Sequence, residues 1–119
     1  MRTIGVFKPE NLIGGSMHCA TAFITLAAGV IYPVGAVVAK RPDGVCCLVD
    51  SATEHKEVYA IVSELVDATD ESKGGPAYLT GEFNYHSLTF GGADTWEIHR
   101  ESARKNGMFF VGASLPSDI

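Results

Sequence analysis

The chain has 119 residues, 46% of them hydrophobic and 19% charged, with a net charge of −5 at pH 7. This length and composition predict one globular domain with a modest core of its own. The acidic balance argues against nucleic acid as a partner, and the apolar run at residues 20–39 is too broken by Gly29, Pro33 and Gly35 for a membrane-spanning helix.

Residues 1–15 are predicted to form an extended N-terminal arm, followed by a β domain over residues 16–119. Pro9 limits the arm to extended or edge-strand backbone, and Gly14-Gly15 ends it. Residues 9–11 also interrupt any signal-like apolar stretch, so we expect a protein that is made and used without export. The arm has no obvious partner in its own domain, and we expect a neighbouring chain to hold it. Its predicted contact residues are Ile4, Val6, Phe7, Leu12 and Ile13.

Short strands rich in β-branched residues are predicted in the first half of the domain, at residues 22–26, 36–39, 45–49 and 58–62. The Arg41-Pro-Asp-Gly44 sequence is the strongest turn signal and predicts a β-hairpin between the second and third of these strands. Residues 57–66 also fit helical spacing, although their β-branched content favours a strand. Residues 67–75 read as a long acidic turn.

The three cysteines, Cys19, Cys46 and Cys47, are an odd count and therefore a poor disulfide framework. Cys46 and Cys47 alternate within a predicted strand, so one should face inward and the other outward. Free thiols are consistent with assembly in a reducing cytoplasm.

The last third of the domain reads as strand, sharp turn, strand, helix and strand. The helix is predicted over residues 94–106, where Asp94 and Glu97 have the spacing of a capping box. Asn106-Gly107 supplies its C-terminal stop, and a final strand follows at residues 108–112. Trp96 is expected to pack against the core or an interface.

No catalytic, metal-binding or cofactor-binding residue is predicted. The histidines show no zinc-ligand spacing, and the cysteines occupy positions that would raise their pKa. The paired glycines at 14–15, 74–75 and 91–92 match no phosphate-binding motif and are expected to be turns. Three carboxylates that could serve as acid or base, Glu82, Asp94 and Glu97, are explained more simply as turn or cap residues.

The order of these segments resembles the lambda-like family of bacteriophage head decoration proteins. The resemblance covers about residues 21–113 and depends on the run at 58–62, the Ala77-Tyr-Leu-Thr-Gly-Glu-Phe-Asn84 segment, Leu88-Thr-Phe-Gly91, the helix and Gly107-Met-Phe-Phe110. The residues taken as its structural motif are Tyr78, Gly81, Phe83, Asn84, Gly91, Asp94, Glu97 and Gly107.

The resemblance implies a mainly β fold, a small tulip-like β-barrel with one or two short helices, assembled as a homotrimer. Such trimers sit on the outer surface of the virion, over threefold positions of the capsid lattice, and their arms reach the major capsid protein. They are not enzymes, and they are assembled in the cytoplasm of the bacterial host. Two alternatives remain open: a small β-barrel enzyme or ligand-binding domain, and another oligomeric phage component of the tail or baseplate.

Overall fold

Nine short strands, one 3-10 turn and one α-helix make up the part of the chain, residues 19–112, that the computed structural model describes. The expected mainly β fold, with a small barrel and one helix, is confirmed. The predicted arm at residues 1–15 lies outside the described residues. The elements are β1 Thr21–Leu26, β2 Val30–Tyr32, β3 Val37–Lys40, β4 Cys46–Leu48, β5 Ala60–Val62, β6 Val66–Ala68, β7 Lys73–Tyr78, β8 Gly81–Asn84, a 3-10 turn Tyr85–Ser87, α1 Trp96–Lys105 and β9 Met108–Val111.

A closed five-stranded barrel forms the centre of the domain, in the strand order β1-β4-β3-β5-β7. The predicted hairpin is confirmed, because β3 and β4 pair antiparallel with Val38 opposite Leu48. Its turn is held by Asp43, whose carboxylate accepts hydrogen bonds from the Val45 amide and the Arg41 guanidinium at 3.0 Å each. Gly44 has a φ of 91°, a value that favours glycine.

Two smaller sheets flank the barrel. The β2–β6 pair is antiparallel, whereas β8 and β9 are parallel and α1 lies between them in the sequence. The barrel wall separates two buried clusters, so β3 is buried on both faces: Val38 packs in the barrel, and Val37 and Ala39 pack in the second cluster. That second cluster also contains Phe83, Met108 and Phe110 together with Ala103 of α1, and it fixes the helix against the barrel.

The predicted acidic turn at residues 67–75 was too long, because only residues 69–72 lie between the strands and the two ends of the stretch belong to β6 and β7. Glycine is a weak strand former, but here the absence of side chains is what permits the packing. A Cβ on Gly74 would lie 2.4 Å from the Phe23 ring, and one on Gly75 would lie 2.5 Å from the Val66 side chain. Tertiary contacts therefore override the turn-like composition.

The strand reading at residues 58–62 was correct in type, and the observed β5 begins at Ala60. The helical alternative for residues 57–66 is excluded, because β5 lies within that stretch and β6 begins at its last residue. The β2 strand was not predicted. Its last residue, Tyr32, is fully buried and donates its hydroxyl to the Ala27 carbonyl at 2.9 Å.

The helix begins at Trp96, two residues later than predicted, and the capping box was wrong. Thr95 is the N-cap residue and makes no side-chain cap bond. The Asp94 carboxylate is engaged elsewhere, by Ser51 and His99, so it is not available to the helix start. The predicted stop is confirmed, since the helix ends at Lys105 and Gly107 has a φ of 86°.

Candidate functional site

The predicted structural motif lies mainly around the β8–β9 sheet. Gly81 opens β8, and its amide donates to the Gly107 carbonyl at 3.0 Å, which joins the two strand starts. The Phe83 ring is fully buried, with its centroid 5.5 Å from that of Tyr78. The Asn84 side chain accepts a hydrogen bond from the His86 amide at 3.0 Å and so starts the 3-10 turn. These residues build the sheet and are not grouped on an exposed surface.

Two further motif residues, Gly91 and Glu97, differ in their exposure: Gly91 is buried and Glu97 is exposed. The Gly91 amide donates to the Val49 carbonyl at 2.8 Å, and a Cβ at this position would lie 2.6 Å from the same oxygen. Glu97 is exposed at the start of α1 and accepts a hydrogen bond from the Thr95 hydroxyl at 3.3 Å. Gly91 is therefore required by close backbone approach, whereas Glu97 is a surface residue. Glu82, expected in a turn, instead lies within β8.

A buried polar cluster joins the loop after β4 to the helix. The Asp94 carboxylate accepts hydrogen bonds from the Ser51 amide at 2.6 Å and the Ser51 hydroxyl at 2.7 Å, and it lies 2.7 Å from Nε2 of His99. The side chains of His99 and Asp94 are only 2% and 7% exposed. The Phe90 ring stacks on the imidazole with 5.3 Å between centroids. The pKa of Asp94 is lowered, first because the Ser51 hydroxyl donates to it and then because His99 does.

This cluster has the residue types of a nucleophilic triad but not its order. In a triad the histidine contacts the serine and removes its proton. Here Asp94 stands between Ser51 and His99, so the bonds shown leave the Ser51 hydroxyl donating to a carboxylate. The arrangement fixes the loop to α1. Sequence reasoning missed it because Ser51 and Asp94 are 43 positions apart and no local pattern marks them.

The outer face of α1 borders an open groove of about 530 Å³ against the β8–β9 sheet. The charged side chains that line the groove are of both signs. One pair forms an ion pair, with 3.4 Å between Nη1 of Arg104 and Oε2 of Glu101. Beside it, the Trp96 ring stacks on Tyr85 with 4.0 Å between centroids, and the Arg100 guanidinium lies 5.3 Å from the centre of the Trp96 ring. The residues lining the groove include Glu82, Arg100, Glu101, Arg104, Phe109 and Val111. Among residues 19–112 no cluster of histidine, cysteine and acidic side chains could hold a metal ion.

Four large apolar side chains are exposed on the described part of the chain, on more than one element. Ile31 and Leu65 are 53% and 64% exposed. Ile31 lies in β2 opposite Asp67 of β6, whereas Leu65 immediately precedes β6. Phe23 on β1 is 76% exposed, and Ile98 on α1 is 52% exposed. An exposed apolar group is useful for contact with another protein only when other such groups lie beside it.

The prediction for the adjacent cysteines is confirmed. Cys46 is buried in the barrel and Cys47 is half-buried, and both are free thiols. Burial raises the pKa of Cys46 to about 11, even though nearby Lys40 acts in the opposite direction. A thiol with so high a pKa is a poor nucleophile near neutral pH.

The five predicted contact residues of the arm, Ile4, Val6, Phe7, Leu12 and Ile13, all lie outside the described residues. No family model matches the chain, and no curated protein matches it either. Within residues 19–112, the single α-helix is too short and too polar to cross a membrane.

Proposed function

We propose that this chain is a structural virion protein, a capsid decoration protein that assembles as a homotrimer on the outside of an expanded bacteriophage head. The observation that carries the proposal is the succession of segments from residue 58 to residue 112, which resembles that of the lambda-like decoration proteins. In the folded chain this stretch runs through β5 to β9 and includes the only α-helix of the described residues. The closed barrel is consistent with the fold that the resemblance implies.

The proposed partner is the major capsid protein of the same phage, reached through the arm at residues 1–15. An arm that adds a strand to a neighbouring sheet binds through main-chain hydrogen bonds, which tolerate variation in its sequence. Its apolar residues supply the burial that offsets the entropy lost when the arm becomes ordered. The role requires no cofactor, no nucleic acid and no membrane.

Trimeric assembly would make a weak arm effective. Packaged DNA pushes the capsid subunits apart, and a trimer that bridges several subunits resists this separation. Once one arm is bound, the other two bind at a high local concentration, so the trimer can be held much more tightly than a single arm. The exposed side chains of Ile31 and Leu65 are apolar groups available for contacts of this kind.

Co-sedimentation with expanded, undecorated capsids tests the proposal. The expected result is saturable binding near three chains per lattice threefold, as the resemblance implies. Absence of binding to both expanded and unexpanded shells would refute it. A tail or baseplate component would then be tested by binding to tails, and a ligand-binding domain by chemical-shift changes around the groove beside α1.

A further inference from the structure

One edge of the first half of β1 has no partner strand among residues 19–112. On one side, β7 pairs with β1 over its whole length, from Thr21 to Leu26. On the other side, β4 meets β1 only where Leu26 pairs with Cys46. Because β4 begins at Cys46, it does not extend along the start of β1. A short row of backbone groups is therefore open to an additional strand.

A hydrogen bond at the start of β1 identifies which residues present their backbone groups at this free edge. The Leu79 amide donates to the Ala20 carbonyl at 2.6 Å, so Ala20 faces β7. Successive residues of a strand direct their backbone groups to opposite edges, so Ala22 also faces β7. Thr21 and Phe23 therefore direct their amide and carbonyl groups to the free edge.

The contact with β4 limits how far an added strand can run along this edge. The Ala27 amide donates to the Cys46 carbonyl at 2.8 Å, which agrees with the alternation, because Ala27 faces the same edge as Thr21 and Phe23. A strand added at the free edge must end before it reaches this contact. The open row thus consists of two outward-facing residues, Thr21 and Phe23, placed symmetrically about Ala22.

The surface around the free edge is apolar and carries no charge. Phe23 is 76% exposed, and Thr21 and Thr25 are exposed on the same face of β1. Residues 19–39 contain no aspartate, glutamate, lysine or arginine, and neither do residues 74–78 of the adjacent β7. Proteins commonly block an open edge with charged side chains, and that protection is missing here. Because the chain has a net charge of −5, copies of it repel one another, and a charge-free strip is where this repulsion is least.

We propose that the free edge pairs with β1 of a second copy of this chain, antiparallel about a twofold axis at Ala22. This axis puts Thr21 of each copy opposite Phe23 of the other. Both are hydrogen-bonded pairs, in which the two opposite residues exchange both of their bonds, because Thr21 and Phe23 face the edge. Every open amide and carbonyl of the row then has a partner. The row is its own complement, and the pairing ends before the contact with β4.

The twofold pairing is distinct from the proposed trimer and does not depend on it. A twofold contact sets one surface against itself, so it joins two copies, or two trimers, and does not build a threefold ring. A ladder of two residues on each side buries little surface, and contacts of that size are weak and transient. If the chain decorates a shell, neighbouring copies are held side by side, and their high local concentration favours the pairing.

Sedimentation velocity of the full chain over a series of concentrations, without capsids, tests the proposal with two lysine variants. In the pair the two copies of residue 23 lie roughly 8 Å apart, comparable to the Debye length at physiological salt, whereas the two copies of residue 25 lie roughly 20 Å apart. Phe23→Lys should therefore block the pairing. Thr25→Lys adds the same charge to the same exposed face of β1 and is the matched control.

We expect the unmodified chain and Thr25→Lys to form, as the concentration rises, a species with twice as many copies, while Phe23→Lys does not. Hydrogen exchange followed by NMR reports on the edge itself. The amides of Thr21 and Phe23 in the unmodified chain should exchange at least about tenfold more slowly at high than at low concentration. The amides of Ala22 and Ile24 face β7 in either case and are internal controls.

Equal masses of Phe23→Lys and the unmodified chain at every concentration would overturn the proposal, and so would an equal loss of mass in Thr25→Lys. Protection of the Thr21 and Phe23 amides that does not change with concentration would also overturn it, because the edge would then be covered from within its own chain. Capsids take no part in either measurement, so the twofold pairing and the proposed function can fail separately.

Discussion

The close approach of Gly91 to the backbone of Val49 gives a prediction with a matched control in the same chain. In Gly91→Ala the new Cβ would lie 2.6 Å from the Val49 carbonyl oxygen, a distance that real Cβ atoms do not adopt. The oxygen is part of the backbone and accepts the Gly91 amide, while the Val49 amide donates to the Val37 carbonyl at 3.0 Å. The segment cannot move away without straining both hydrogen bonds.

The cost of Gly91→Ala follows from these contacts. Overpacking of a well-packed site costs about 1–3 kcal/mol. Weakening one hydrogen bond adds about 1 kcal/mol. We therefore expect the free energy of unfolding to fall by about 2–4 kcal/mol. In a domain of this size the loss corresponds to a fall in Tm of roughly 8–16 °C.

Gly74→Ala is the control, because it makes the same chemical change against a movable neighbour. Its new Cβ would lie 2.4 Å from the exposed ring of Phe23, which can rotate into solvent. The gain from a less flexible unfolded chain, about 0.4–1 kcal/mol, offsets part of that adjustment. We expect Gly74→Ala to change the stability by less than about 1 kcal/mol.

Urea unfolding of both variants at one fixed protein concentration measures the difference, since the stability of an oligomer depends on concentration. A Gly91→Ala protein as stable as the unmodified chain would refute the reasoning. So would a larger loss in Gly74→Ala than in Gly91→Ala.

Three further predictions concern the polar cluster, the buried thiol and the arm. The pKa of Asp94 is lowered below its ordinary value of 3.8, so its charge stabilises the fold above that value and the benefit is lost as the pH falls through the lowered pKa. Asp94→Asn should thus have a lower Tm than the unmodified chain near neutral pH, and the difference in Tm should disappear as the pH falls below 3.8. A difference in Tm that does not depend on pH would contradict this. Cys46 should react with a thiol reagent at least about tenfold more slowly in the folded chain than in urea, and equal rates, read by mass spectrometry, would contradict its burial. Deleting residues 1–15 should leave a folded trimer, judged by light scattering and circular dichroism, that no longer binds capsids, and retained binding would refute the role of the arm.

Local signals in the sequence predicted the local structure well. The Arg41-Pro-Asp-Gly44 sequence specifies its turn through residues that contact one another within four positions, and the hairpin was predicted correctly. The alternation of Cys46 and Cys47 follows from strand geometry alone. The helix stop at Gly107 likewise depends on a conformation that glycine adopts readily.

Contacts between distant parts of the chain limited the prediction elsewhere. Gly74 and Gly75 have a turn-like composition, but Phe23 and Val66 occupy the space that side chains would fill, and neither neighbour can be inferred from local pattern. Asp94 has the spacing of a cap, yet Ser51 and His99 compete successfully for its carboxylate. The proposed assembly and capsid binding would involve residues 1–15 and other chains, neither of which the structure describes, so they remain predictions.

Electron cryomicroscopy of expanded capsids, imaged with and without the purified protein, tests the central claim most directly. The account predicts added density on the outer surface at the lattice threefolds, into which three copies of the barrel domain fit, with continuous density from each copy to the capsid protein beneath. Identical reconstructions at saturating protein, or added density at any other position, would contradict the account.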